Sequence, residues 1–201
     1  MEELLKSYKE KENKINSKLN SFKALSEESQ FKEFMFCLLT PQSNAQRCWQ
    51  AVEEISSLQN KNHKNVLNIL KTKTRFHKTK TFRIIKAKES WKFIKPLLNN
   101  QNKNVKELRN FLADNINGYG LKESSHFLRN IGLSNNEIGI LDRHILKNLQ
   151  KLNIINETKI KNRKHYLEIE CLFINFAKRI NIPPDHLDLL WWSQENGEIF
   201  K

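Results

Sequence analysis

Asn117-Gly118-Tyr119-Gly120-Leu121-Lys122-Glu123-Ser124-Ser125-His126-Phe127-Leu128 is the stretch that decides the fold. Two of the chain's five glycines fall here, one residue apart, between two patterns of helical period. Before them Val105, Leu108, Leu112 and Ile116 recur at steps of three and four; after them Leu121, Ser124, Ser125 and Leu128 continue the period. The pattern reads as a helix-hairpin-helix over about 104–131. Gly118 and Gly120 permit backbone angles that a Cβ would forbid. With Tyr119 between them, they are expected to bare a run of amide N–H groups beside a helix N-terminus, which suits a phosphate oxygen. Such a hairpin grips a nucleic-acid backbone. Lys122 falls in the first turn of the second helix, where the positive end of the helix dipole disfavours an ammonium, and a neutral amine is a nucleophile. The plainer reading of Lys122 is a phosphate-binding cation in a non-catalytic module.

Downstream, Leu141-Asp142-Arg143-His144-Ile145-Leu146 places an acid at the start of another helix. Asp142 reads as an N-cap, as a partner for the lysine amine, or as both, since a capping carboxylate is held rigidly. Upstream, Gln42 follows Pro41 in a turn after the apolar run Phe36-Cys37-Leu38-Leu39, with Asn44 as its neighbour. Phe76 is a lone aromatic among Lys73, Arg75, Lys78 and Lys80, placed either to plug the core or to offer its face to a base. Near the end, Leu187, Leu190 and Trp191 share one helical face while Trp192 lies over Asp188, so Trp191 is expected in the core and Trp192 outside it.

Glycine and proline are scarce, strand-like alternation is absent and apolar residues recur at helical spacing, so the chain reads as all-α. Helices are expected near 2–24, 30–39, 44–57, 63–72, 79–99, 104–116, 121–131, 142–151, 163–180 and 184–195. At 201 residues the chain can bury a sizeable core. No window approaches the roughly 20 apolar residues that span a bilayer, and Met1-Glu2-Glu3-Leu4-Leu5-Lys6 lacks the apolar centre of a signal peptide. An intracellular protein of cytoplasm or nucleoid is expected. Cys37, Cys48 and Cys171 are odd in number and widely spaced, which fits neither a disulfide framework nor a metal site. The formal net charge of +13 points to a polyanion. Lysine and asparagine enriched by an AT-rich genome would give the same figure, and the lysine blocks at 61–64, 71–88 and 147–164 also read as solvated faces.

The hairpin lysine followed by Asp142 resembles the helix-hairpin-helix superfamily of DNA glycosylases. The wording GYGLKESSHFLRNIG and LDRHIL looks closest to the archaeal-type 8-oxoguanine DNA glycosylase/AP lyases. Phe36–Gln42, Arg75–Lys78 and Leu187–Trp192 with terminal Lys201 are similar to further segments of that family. The resemblance implies two helical lobes with the active site in the cleft between them. One, residues 31–134, carries the hairpin on six helices; the other is built from 1–30 and 135–201. It implies that Lys122 attacks C1′ and Asp142 assists. Phe76 and Trp192 would stack on the extruded base, and the terminal Lys201 would reach the base pocket. Gln42, with Asn44 as its competitor, would fill the gap in the duplex, and Gly118, Tyr119, Gly120, Arg143 and His144 would contact DNA. The implied partner is duplex DNA containing oxidised guanine, met by a monomer without cofactor or metal; the four-cysteine cluster of endonuclease III-like relatives has no counterpart here. A glycosylase for oxidised pyrimidines or mispaired adenine is the rival enzyme, and a non-catalytic hairpin module the rival binding protein.

Overall fold

A computed structural model describes residues 1–99 and 104–201. Among these residues ten helices follow in order: α1 (Glu2–Lys23), α2 (Glu27–Leu39), α3 (Ala45–Ser57), α4 (His63–Lys73), α5 (His77–Leu98), α6 (Val105–Asn115), α7 (Leu121–Asn130), α8 (Arg143–Lys151), α9 (Arg163–Arg179) and α10 (Pro184–Asn196). No strand occurs among the described residues. The all-α class is as expected, and the largest displacement of a helix start is at α2, expected from Gln30 and found from Glu27. Its cause is local: the Ser26 hydroxyl accepts a hydrogen bond from the Ser29 amide and starts the helix early.

The abundant asparagines open helices in the same way. Asn44 accepts from the Arg47 amide, Asn62 from Asn65, Asn104 from Lys106 and Glu107, and Asn162 from His165. Each such cap satisfies helix amides that have no partner inside the helix and contributes about 1 kcal/mol.

The chain falls into two compact units. A central unit comprises Leu25–Phe127, and a terminal unit comprises Met1–Ala24 with Leu128–Lys201. In the central unit Phe34 of α2 is ringed by Tyr119, Phe127, Trp91 and Phe31, with ring centroids 5.2, 5.7, 5.8 and 6.4 Å away. Aromatic pairs at such distances add roughly 0.5–1.5 kcal/mol beyond their burial. The Tyr119 hydroxyl also donates to the Phe34 carbonyl at 2.9 Å, which fastens the hairpin to α2.

In the terminal unit α1 buries Tyr8, Ile15 and Phe22, spaced one heptad apart on one stripe of a polar helix. α10 supplies the centre: Trp191 is 2% exposed, stacked on Phe176 and tilted against Phe173 of α9. The buried Arg129 guanidinium pairs with Asp188 at 2.8 Å and lies over the Phe22 ring. Losing either partner of such a pair costs about 3–5 kcal/mol, because the other charge is left buried alone. The segment that leads to Asp142 is pinned to α9, with the Gly139 amide donating to Glu170 Oε1 and the Tyr166 hydroxyl to the Gly139 carbonyl, both at 2.8 Å.

Candidate active site and nucleic-acid surface

The hairpin tip is shaped by one glycine rather than two. Gly118 has φ +101°, a conformation that L side chains rarely adopt, whereas Gly120 does not have a positive φ. The expected run of bare amides also needs correction. The Tyr119 amide is taken by the Ile116 carbonyl at 3.0 Å, and the Gly120 amide by Glu123 Oε2 at 3.1 Å. Glu123 thus stands three residues after a glycine and reaches back to its N–H, one half of a capping box. That Gly-x-x-Glu spacing is itself a signal in the sequence. Tyr119, expected at the DNA, has its ring in the core and its hydroxyl bound to Phe34, so any contact it makes is through its backbone.

Lys122 is the second residue of α7, its side chain 23% exposed. Its Nζ lies 3.9 Å from Glu123 Oε1, so within the central unit the neighbouring carboxylate is the same one that caps Gly120. Its charge also reaches Cys48 on α3. Burial pushes that thiol up to about 11, while Lys80 and Lys122 pull in the opposite direction. Nothing in the sequence singles out Arg83 on α5, which lies against Gly118 and donates from Nε to Asn117 Oδ1 at 3.3 Å. With Lys78 and Lys86 it lines a groove of about 540 Å³ that reaches Asn115 and Asn117 of the hairpin.

Gln42 and Phe76 share an unusual backbone. Six non-glycine residues among those described have positive φ; four are asparagines, which tolerate it, and the other two are Gln42 at 54° and Phe76 at 56°. Left-handed geometry costs such residues roughly 1–2 kcal/mol, so the surroundings must enforce it. Gln42 is exposed in the turn between α2 and α3. Its competitor Asn44 is committed to capping α3. Phe76, immediately before α5, is 55% exposed under the Arg75 guanidinium; it is not a core plug.

Between these turns stands Lys80, a residue that nothing in its basic neighbourhood distinguishes. It is 2% exposed and donates to the carbonyls of Leu39 and Pro41 and to the Ser43 hydroxyl at 2.7, 2.8 and 2.8 Å. Burial above all, with Arg83 and Arg75 adding to it, lowers its pKa to about 8.

In the terminal unit Asp142 caps α8. Oδ1 accepts from the His144 and Ile145 amides at 2.8 and 2.9 Å, which leaves Oδ2 outside the cap. Arg143 is exposed and donates from Nε to His144 Nε2 at 3.3 Å. His144 is not on an open helix start: its Nδ1 lies 3.6 Å from Glu195 of α10.

The tail folds back on the helix that precedes it. Gly197, at φ +83°, ends α10 and reverses the chain, although a Cβ there would meet nothing within 4 Å. Phe200 then stacks on Trp192 with centroids 5.8 Å apart, and Lys201 is 8% exposed with its ammonium 5.9 Å from the Phe200 ring centre. Trp192, Phe200 and Lys201 form one continuous stack rather than a frayed terminus.

No group of three or more His, Cys, Asp or Glu among the described residues could hold a metal ion. No described helix is long and apolar enough to cross a membrane.

Residues 12–182 match the family model described as 8-oxoguanine DNA glycosylase. The chain is 37% identical to the 8-oxoguanine DNA glycosylase/AP lyase of Fusobacterium nucleatum, over 99% of this chain and 96% of that protein. It is 35% identical to the protein of the same description from Methanocaldococcus jannaschii, over 90% and 87%. Its fold is similar to the crystal structure of the Methanocaldococcus jannaschii 8-oxoguanine glycosylase/lyase in complex with 15mer DNA containing 8-oxoguanine, with a TM-score of 0.86 at 33% identity over the whole of both chains. The Thermotoga maritima 8-oxoguanine DNA glycosylase follows at a TM-score of 0.85 and 27% identity, covering 100% of this chain and 97% of that one. Matched by that model over most of its length and by relatives along nearly the whole chain, this chain belongs to the 8-oxoguanine DNA glycosylase family.

Proposed function

We propose that this protein excises 8-oxoguanine from duplex DNA and then cleaves the strand, both through Lys122. One observation carries the reading. A lysine stands at the start of the hairpin's second helix in a chain that matches, end to end, a glycosylase/lyase crystallised with 8-oxoguanine DNA.

A duplex hides C1′, so the damaged nucleotide must be turned out of the stack. Gln42 enters the gap, while Phe76 and Trp192 stack on the extruded base. The Phe76 ring is exposed and carries the Arg75 guanidinium over one face, and Phe200 braces the Trp192 indole. Lys201 reads the base. 8-Oxoguanine differs from guanine by a carbonyl and an N7–H, and a desolvated pocket that leaves one such group unpaired discriminates by about 1–3 kcal/mol.

The neutral Nζ of Lys122 attacks C1′. The bond from C1′ to the base breaks, the electron pair leaves with the base, and the nitrogen's proton passes to the departing purine. The C1′–O4′ bond then breaks, O4′ takes a proton from water, and the opened sugar is left as a protonated imine that acidifies the C2′ hydrogens. Loss of one of them expels the 3′ phosphate by β-elimination. Asp142, held through Oδ1, uses Oδ2 to take that proton from the amine and hand it on to the purine, and to offset positive charge on the sugar.

Borohydride trapping tests this. Reduction of the imine should cross-link the protein to a duplex bearing 8-oxoguanine, and Lys122→Gln should abolish the cross-link while binding to undamaged duplex persists. Trapping of the variant through another lysine would overturn the assignment. Trapping on thymine glycol but not on 8-oxoguanine would overturn the substrate.

A further inference from the structure

We infer that Lys80 is a positioning residue that holds the turn of Gln42 and the turn of Phe76 in a single register, and so governs recognition of the extruded base. The inference rests on the proposed roles of those two side chains.

The geometry is that of a clasp. The Lys80 ammonium has three donors, and each is met: the Leu39 carbonyl at the end of α2, the Pro41 carbonyl within the turn, and the Ser43 hydroxyl beyond it. Pro41 and Ser43 flank Gln42, so two of the three bonds bracket the left-handed residue. The Ser43 hydroxyl also accepts from the Arg75 amide at 2.9 Å, immediately before Phe76. Lys80 itself lies in the first turn of α5, and its amide bonds the Phe76 carbonyl at 3.0 Å. One side chain and one hydroxyl therefore tie together the only two residues, among those described, that adopt positive φ without being glycine or asparagine.

Burying an ammonium is costly unless it is fully hydrogen-bonded. An ordinary turn between two helices could be closed by backbone bonds alone; here a charge is spent on it. Charge-assisted bonds are also the stronger ones, as suits backbone that would relax if released. Lys80 touches none of the reacting atoms, so its effect falls on the placement of Gln42 and Phe76 and not on Lys122.

The test separates base recognition from imine chemistry. Lys80→Met keeps the apolar stem and removes the donors; Ser43→Ala removes only the hydroxyl that joins the two turns and preserves the lysine. Each is compared with wild type in single-turnover excision of 8-oxoguanine from a duplex and in cleavage of the same duplex bearing a ready-made abasic site. Thermal midpoints are measured alongside. Lys80→Met should lose at least tenfold more excision than abasic-site cleavage, and Ser43→Ala should show the same bias at roughly threefold. Equal losses of both activities would make Lys80 merely structural, and an unchanged ratio in Ser43→Ala would sever the link between the turns; either result overturns the inference. Wild-type protein that cleaves abasic sites but excises no 8-oxoguanine would instead overturn the functional reading on which it rests.

Discussion

The carboxylate of Asp142 commits one oxygen to the cap of α8 and leaves the other outside it, which makes its proposed catalytic role measurable. Oδ1 holds two amides of α8, a duty asparagine performs as well as aspartate. Asp142→Asn should therefore keep the cap and the fold while losing the base. We expect glycosylase turnover to fall at least tenfold, about 1.4 kcal/mol of barrier, with the thermal midpoint unchanged; unaltered turnover would leave Asp142 only its capping role. A second residue couples the fold to acidity. His186 shares a hydrogen bond of 2.9 Å with the Tyr8 hydroxyl, and burial holds its pKa below the ordinary 6.5, against the pull of Glu12 and with help from Lys23. As pH falls through 6.5 the unfolded chain takes up this proton before the folded one does. Stability that is full above pH 6.5 is then lost progressively below it. Neighbouring Asp185 works in the opposite direction, since burial raises its carboxyl pKa and its contribution grows as pH falls. Comparing thermal midpoints of wild type and His186→Asn between pH 7.5 and 5 isolates the histidine. The variant should show the shallower decline, and parallel curves would assign the acid sensitivity elsewhere.

At the scale of elements, α10 places a core tryptophan and the tryptophan proposed to recognise the base on adjacent residues. Trp191 fills the core between Phe173 and Phe176, so Trp191→Ala should cost the ~3–5 kcal/mol of a buried large aromatic and lower excision and abasic-site cleavage together. Trp192 lies under Phe200, and Lys201 closes the stack. Deleting Lys201, adding a C-terminal tag, or making Trp192→Ala should depress 8-oxoguanine excision much more than cleavage of a ready-made abasic site, which needs no base recognition. A tagged enzyme that excises 8-oxoguanine as well as the untagged one would refute the tail's role and leave Lys122 untouched. That Trp191 is core and Trp192 is not was legible in sequence, because helical period is a local property; so was the presence of the helices, four of which an asparagine opens with a bond to an amide two or three residues on. The clasp around Lys80 was not legible. It joins residues 41 positions apart, and in a block of basic residues the buried lysine looks like the solvated ones. The strain at Gln42 and Phe76 escaped for the same reason, since neither residue type asks for a left-handed backbone and only their surroundings impose it. Glu123 differs from both, because its capping distance from Gly120 is written in the chain.

Across the whole molecule the formal charge of +13 has two explanations, a polyanionic partner or a lysine-rich composition, and salt separates them. Phosphate contacts release condensed counterions, so the affinity for undamaged duplex should fall linearly on a log–log plot against salt, by about 0.9 per phosphate neutralised. Arg83, Lys78 and Lys86 line the groove that reaches the hairpin residues Asn115 and Asn117, whereas lysines such as Lys161, paired with Glu157, already have a carboxylate partner on the surface. Removing groove cations should therefore flatten the slope, while removing paired ones should not. We expect Lys78→Ala with Lys86→Ala to lower the slope by up to about 2, roughly 1 for each phosphate that is no longer neutralised. Lys161→Ala should leave it where it was. A slope near zero for wild type would make the charge a consequence of composition. An equal effect of all three substitutions would mean that duplex DNA meets a diffuse positive field instead of a track along α5 and the hairpin.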